Sequence, residues 1–274
     1  MKAILILADK EIRDGLRNRW VLGTILSFAG LALSLAFLGS APVGTTRAGA
    51  LTVAVASLSS LTVYLMPLIA LMLGFDALVG ELERGTMLLL LSYPVTRWQV
   101  VLGKFLGHLA ILAVAVLIGY GSAGLLLVWS ADWRLEGGGA YLAMMGSSVL
   151  LGGVFVALGY LVSVLARERS AAAGWALGLW LFAVVLYDLG LLAIVVSAGD
   201  ALGAGQFVAL LLASPTDAYR ILNLIGNEAV AVVAGLAGAA AKAGIGSLAP
   251  VSAMLVWLAL PLIATLTLFQ RREL

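Results

Sequence analysis

Apolar residues in this chain come in long unbroken runs, not in the alternation of a half-buried strand or the one-sided stripe of a soluble helix. Six stretches, at about 20–39, 51–75, 101–129, 141–166, 171–197 and 251–269, are apolar all round. Runs of about 20 residues or more with that character are helices that span a bilayer. Barrel strands are about ten residues long and alternate, so a barrel does not fit. The pattern predicts an all-α polytopic membrane protein with six transmembrane helices. No linker, low-complexity tract or tandem repeat divides residues 1–274, which read as one domain.

Composition narrows what such a protein does. Hydrophobic residues make up 63% of the chain and charged residues 11%, against roughly 45–50% and ~25% in soluble domains. Mean hydropathy is +1.12. A formal net charge of +2 provides no basic field for nucleic acid. Cysteine is absent and His108 is the only histidine, which leaves nothing for disulfides, thiolate chemistry, His-rich metal sites or Ser-His catalysis. Seven methionines invite a soft copper site. Met144 and Met145 are adjacent and point apart on a helix, and Met66 and Met72 are poorly aligned, so core filling is the better reading.

In a six-span plan, 12 of the 16 Lys and Arg residues share a side with the N-terminus, and only Arg47, Arg134, Arg220 and Lys242 fall on the other. The positive-inside rule then places both termini in the cytoplasm. Residues 228–246 (EAVAVVAGLAGAAAKAGIG) are apolar enough to suggest a seventh span, but that would carry Arg271 and Arg272 outside. They read instead as a helix or re-entrant segment within an outer region, 199–250. The first span reads as uncleaved, because its apolar stretch exceeds the 7–15 residues of a signal peptide core.

Two polar stretches on the cytoplasmic side carry local structure. In residues 1–19, Ile4, Ala8, Ile12 and Leu16 recur at i+4 while Lys10, Arg13, Asp14 and Arg17 lie off that stripe. Such a helix lies in the headgroup plane before the chain turns inward at Trp20. The second stretch, 76–97, places Glu81, Glu83 and Arg84 at the end of an apolar run, where they must project into water or protein. Gly85 relaxes the backbone, Thr86 is placed to cap a short apolar helix, and Pro94 ends it. Thr96 and Gln99 form a capping box for the third span.

The run Glu81-x-Glu83-x-Gly85-Thr86, followed by Pro94-x-x-Arg97 and Gly103-Lys104, resembles the signature of ABC-2 type permeases. Lys10-Glu11-Ile12-Arg13 with Leu16-Arg17-Asn18-Arg19 resembles the N-terminal elbow helix of that family. The resemblance implies that residues 76–97 hold a cytoplasmic coupling helix. Glu81, Glu83, Arg84, Gly85, Thr86, Pro94 and Arg97 would then meet an ATPase, and Lys10, Arg13 and Arg17 would belong to the elbow. No G-x-x-x-x-G-K-[ST] occurs, so ATP and Mg belong to that partner and this chain is expected to be neither an enzyme nor a cofactor carrier. A second copy of the chain completes the translocation unit by the same resemblance.

Within the family, Asp14–Trp20, Leu65–Leu71, Phe75–Glu81, Gly103–His108 and above all Ser214–Leu224 are similar to the permeases that serve maturation of nitrous oxide reductase, a copper enzyme of denitrification. That implies an inner-membrane location and a periplasmic, copper-handling partner. Ser214 reads as an N-cap, Pro215 as the first helical residue and Asp217 as a charge suited to a helix start. Asp217, Arg220 and Asn223 are the candidate contacts to the outer partner; a helix that merely plugs the outer mouth stays open. Asp188 follows Arg169 by 19 residues, about 28 Å along a helix. It reads as a carboxylate near the outer interface, either at the surface or at the outer gate of a dimer. A generic ABC-2 exporter of lipid, drug or glycan, and a mechanical transmitter that moves no substrate, remain as alternatives.

Overall fold

The computed structural model describes residues 2–39, 50–130, 137–198, 202–225 and 246–272, and every element among them is helical. All but the last residue of the 228–246 segment, with Arg47, Arg134 and Lys242, lies outside the described residues. In chain order the helices are α1 (Lys2–Arg17), α2 (Arg19–Gly39), α3 (Ala50–Gly74), α4 (Val79–Glu83), α5 (Thr86–Leu91), α6 (Arg97–Ser130) and α7 (Gly138–Leu165). They continue as α8 (Arg169–Leu181), a π-helical turn (Phe182–Leu186), α9 (Tyr187–Ala198), α10 (Ala204–Leu212), α11 (Pro215–Leu224) and α12 (Leu248–Arg271).

Among the described residues, five helical segments of 24 to 34 residues are long and apolar enough to cross a membrane, and the count is six if α1 and α2, bent by 73° to each other, make one span. The longest, α6, extends about 51 Å at 1.5 Å per residue, well beyond a hydrocarbon core of about 30 Å. The bundle forms around α7, which packs on α3, α6, α8, α11 and α12. Burial reaches 78% in the apolar window of α7 but only 11% along Arg169–Ala198 and 17% in α12. Those last two spans therefore turn most of their surface away from the bundle.

Small residues set the tightest crossing. A Cβ at Gly159 would lie 3.0 Å from Gly74 Cα and 3.2 Å from Gly74 C, so α3 and α7 touch backbone to backbone. Without a hydrophobic driving force between helices in lipid, such contact and polar ties hold the bundle. Thr62 and Tyr120 share a 2.6 Å hydrogen bond, Tyr141 donates to the Tyr120 carbonyl at 2.7 Å, and Ser148 pairs with Tyr219 at 2.9 Å. Met144 and Met66 are buried core residues.

Candidate functional site

The elbow-like helix α1 is seated on α6 by a G-x-x-x-G step. A Cβ at Gly103 would lie 2.6 Å from Leu7 Cβ and 3.1 Å from the Ile4 carbonyl, and one at Gly107 would lie 2.6 Å from Glu11 Cβ. Only glycine at both positions lets the α1 backbone descend this far. Of the i+4 stripe, Ala8 is buried against the bundle, Ile4 and Ile12 are half-buried and Leu16 is exposed. Off the stripe, Leu7 is buried as well, while Leu5 and Ile6 are exposed.

That approach delivers Glu11 to the middle of a charged cluster. Lys104, 4% exposed at its side chain, stands 2.7 Å from Glu11 Oε1 and 2.7 Å from Glu81 Oε1. One ammonium thus ties α1, α4 and α6 together. Lys10 joins from the rim, 3.8 Å from Glu81 and 3.4 Å from Asp14. Burial works to raise the Glu11 carboxyl, but the Lys104 charge and hydrogen bond outweigh it and hold the group below its ordinary value. His108 bonds Tyr160 through Nδ1 at 2.8 Å, with Nε2 3.8 Å from Glu11. Glu81 Oε2 is buried without a hydrogen-bond partner among the described residues.

The short helices α4 and α5 rest on this cluster. Their base is capped in trans: the backbone N–H groups of Leu78 and Val79 both donate to Ser163 Oγ on α7 at 3.0 Å. Gly85 takes φ 70° and stands at the N-cap of α5, a left-handed conformation that favours glycine. Thr86 is therefore the first helical residue and not the cap; its hydroxyl bonds the Glu81 carbonyl at 3.3 Å. The helix ends at Leu91, three residues before Pro94, because the residue preceding a proline is driven out of helical conformation. Leu88, Leu89 and Tyr93 are 60%, 68% and 69% exposed. The pair thus ends in an apolar tip beside a polar surface.

The remaining polar residues of the loop lock helix ends together. Glu83 accepts from the Arg169 amide at 2.6 Å at the start of α8, and Asp76 lies 2.9 Å from Arg169 and 3.8 Å from Arg84. Gln99 accepts the Thr96 amide at 3.0 Å as α6 begins. Arg97 donates to the carbonyls of Phe269, Gln270 and Arg272 at 2.9, 3.0 and 2.7 Å. Arg272 in turn donates to Val164 and Ala166 at 2.7 and 2.9 Å. Each guanidinium satisfies carbonyls left over at a helix C-terminus. Arg13 pairs with Asp9 at 2.8 Å, and Arg17 is exposed in the last turn of α1.

At the opposite end, Ser214 caps α11 by accepting the Asp217 amide at 3.3 Å, with Pro215 as the first helical residue. The three candidate outer contacts turn inward. Arg220 bridges Asp188 at 2.5 Å and Asp217 at 2.9 Å, and Asn223 donates to Ser147 at 3.1 Å. Asp188 is therefore ion-paired within the chain. Thr216 satisfies the Ala183 carbonyl within the π-helical turn at 3.3 Å, which moors α11 to the fifth span.

Burial, with the Asp188 charge beside it, pushes the Asp217 carboxyl up to about 6 from an ordinary 3.8, against the pull of Arg220. The folded state then holds this proton more tightly than the unfolded one. The contribution is complete below about pH 4 and is lost as pH rises through about 6. Against Asp217→Asn, the wild-type protein is expected to lose on the order of 2–3 kcal/mol between those limits. Thermal unfolding in detergent from pH 4 to 7 checks this, and parallel profiles for the two proteins would count against it.

Sequence reasoning named Lys104, Glu11, Asp76 and Arg169 within motifs or spacings but gave them no part in the site, and it passed over Ser163. Two signals were available: a lysine inside an apolar run, which must find a partner, and the 103–107 glycine spacing around it. Ser163 gave none, since its partners are 84 and 85 residues away. Among the described residues no group of His, Asp and Glu is arranged to hold a metal ion.

Comparison with known proteins agrees along the whole chain. A family profile described as "ABC-2 family transporter protein" matches residues 5–274. A protein of Pseudomonas aeruginosa named "Probable ABC transporter permease protein NosY" is 49% identical over 268 residues, covering 96% of this chain and 94% of that one. One of the same name from Stutzerimonas stutzeri is 42% identical over 275 residues, covering 99% of each.

Proposed function

The chain belongs to the ABC-2 family of transporter proteins, and from that premise we propose that it couples ATP hydrolysis by a separate ABC ATPase to work across the bacterial inner membrane. Both termini and the α4–α5 pair then face the cytoplasm, with a NosF-like ATPase beneath them and a second copy of the chain completing the unit. The observation that carries the proposal is the exposed apolar tip formed by Leu88 and Leu89 of α5 with Tyr93 just beyond it, on a base held by Ser163 and the Lys104 cluster. An apolar patch on a polar face is a protein-binding feature. A push on that tip reaches α1 and α6 through Glu81 and Lys104, and α8 through Glu83.

The work itself is copper-site assembly of nitrous oxide reductase, a reading supported by similarity to the two NosY permeases. The outer partner is then a NosD-like copper-handling protein. Asp217, Arg220 and Asn223 hold α11 in place beneath the surface that partner meets.

Two measurements test this. Glu81 is buried, so its charge reversal disturbs folding as well as coupling; Glu83 is exposed and is the cleaner probe. Glu83→Arg is expected to insert and assemble normally but to lower permease-dependent ATPase activity of the reconstituted complex about fivefold, the equivalent of about 1 kcal/mol of exposed pairing. Unchanged activity would remove Glu83 from the path. In a denitrifying host lacking the gene, nitrous oxide reductase is expected to lack its catalytic copper–sulfur centre. A fully loaded enzyme would leave only the family assignment.

A further inference from the structure

A cleft of about 540 Å³ opens between α1, the first half of α2, the end of α3 and α6. That volume is in the range of small-molecule sites, about 300–1,000 Å³. One end is polar, with Lys10, Arg84, Lys104 and Arg169 balanced by as many carboxylates, Glu81 among them. The other is walled by Ile25, Phe28, Leu68, Met72 and Ala115. From Lys104 to Ala115 the wall descends eleven residues of α6, about 16 Å, against about 15 Å for one leaflet of a core about 30 Å thick. The α3 side chains on that wall, Leu68, Ile69, Met72 and Leu73, are only partly buried among the described residues.

We propose that this cleft binds a phospholipid with a primary ammonium headgroup, its head among the charges and an acyl chain along the α2–α3–α6 wall. The apolar wall lies at hydrocarbon depth, where an acyl chain is the natural filling. The polar end has equal numbers of cations and carboxylates, which suits a zwitterion better than an anionic head. Glu81 is 9% exposed, and its Oε2 lacks a hydrogen-bond partner among the described residues. Asp76 Oδ1, near Arg169, also receives no well-directed hydrogen bond. Buried carboxylate oxygens of this kind call for a donor. An ethanolamine ammonium has three N–H groups to give; a choline has none. Lys10, Arg84 and Arg169 are each about half exposed at the side chain and suit the phosphate. The inference needs only that the chain spans a bilayer, so it stands apart from the coupling proposal.

Native mass spectrometry of the full chain tests it, with phosphatidylethanolamine, phosphatidylcholine and phosphatidylglycerol of matched acyl chains supplied at equal concentration. Retention of phosphatidylethanolamine is expected to exceed that of each of the others about tenfold, a ratio equivalent to about 1.4 kcal/mol. Glu81→Gln should remove the preference over phosphatidylcholine, and Met72→Trp should abolish retention of all three by filling the wall. Asp76→Asn serves as the headgroup variant should Glu81→Gln not fold. Equal retention of the three lipids by the wild-type protein would overturn the proposal. So would a phosphatidylglycerol preference, or selectivity that survives both a headgroup variant and Met72→Trp in folded protein. ATPase activity is not the readout, so failure here and failure of the coupling proposal are separable.

Discussion

Replacing Lys104 by methionine is expected to cost about 3–5 kcal/mol, the usual penalty for removing one partner of a buried ion pair. Methionine matches the length of the lysine stem, so volume is nearly kept and the loss is electrostatic. Without the ammonium, the carboxylates of Glu11 and Glu81, both 2.7 Å from it in the native protein, are left largely buried with only the rim cation Lys10 beside them. Half exposed to solvent, at 3.3 Å from Glu11 and 3.8 Å from Glu81, Lys10 compensates only in part. Thermal unfolding in detergent and the yield of folded protein from membranes measure the effect. The triple variant Lys104→Met, Glu11→Gln, Glu81→Gln should recover most of the stability, because it leaves no buried charge unpaired. A Lys104→Met protein as stable as wild type would show that solvent already screens the cluster.

Gly159→Leu should be at least as damaging, for a reason unconnected with charge. Its new Cβ would meet Gly74 Cα at 3.0 Å, Gly74 C at 3.2 Å and Phe75 N at 3.3 Å. These are backbone atoms and cannot swing aside as a side chain does, so α3 must part from α7 along its length. Overpacking typically costs 1–3 kcal/mol where side chains give way; about 3 kcal/mol or more is expected here. Gly146→Leu on the same helix is the control. Nothing lies within 4 Å of a Cβ there, and the change should fall within about 0.5 kcal/mol of wild type. Recovery of folded protein from membranes should separate the two variants sharply. Equal behaviour would mean that α3 and α7 are not in backbone contact.

Spans were legible because lipid makes a uniform demand. Each of the six apolar runs corresponds to a helix or, for the fifth, to two helices joined by a π-helical turn. That turn left no trace in the sequence, since Phe182–Leu186 is as apolar as its flanks. The local signals at Ser214, Pro215, Thr96 and Gln99 were also legible, because capping joins residues within one turn. Thr86 was misplaced by one position, because the left-handed Gly85 takes the cap.

The charged residues were recognised as important but their partners were not. Glu81 was expected to face water or another protein, and it faces Lys104. Arg97 was assigned to an ATPase surface by resemblance, and its guanidinium caps α12 172 to 175 residues away. Asp217, Arg220 and Asn223 were expected outward, and they hold α11 against α7 and α9. In all three cases the intramolecular partner was hidden for one reason. A charge near a membrane must be paired, but periodicity and spacing report only neighbours within a turn or two.

Sequence alone determined that this chain is helical, that it is a polytopic membrane protein built on long apolar runs, and where its short polar-side helix begins and ends to within a few residues. Those properties follow from hydrophobic length and from hydrogen bonds made within a turn. Tertiary structure alone decided that one buried lysine joins α1, α4 and α6, that glycine pairs bring α1 onto α6 and α3 onto α7, and that arginines tie one helix end to the next. Those contacts arise between segments tens to hundreds of residues apart, where the energy depends on which backbones can approach and which buried charges meet.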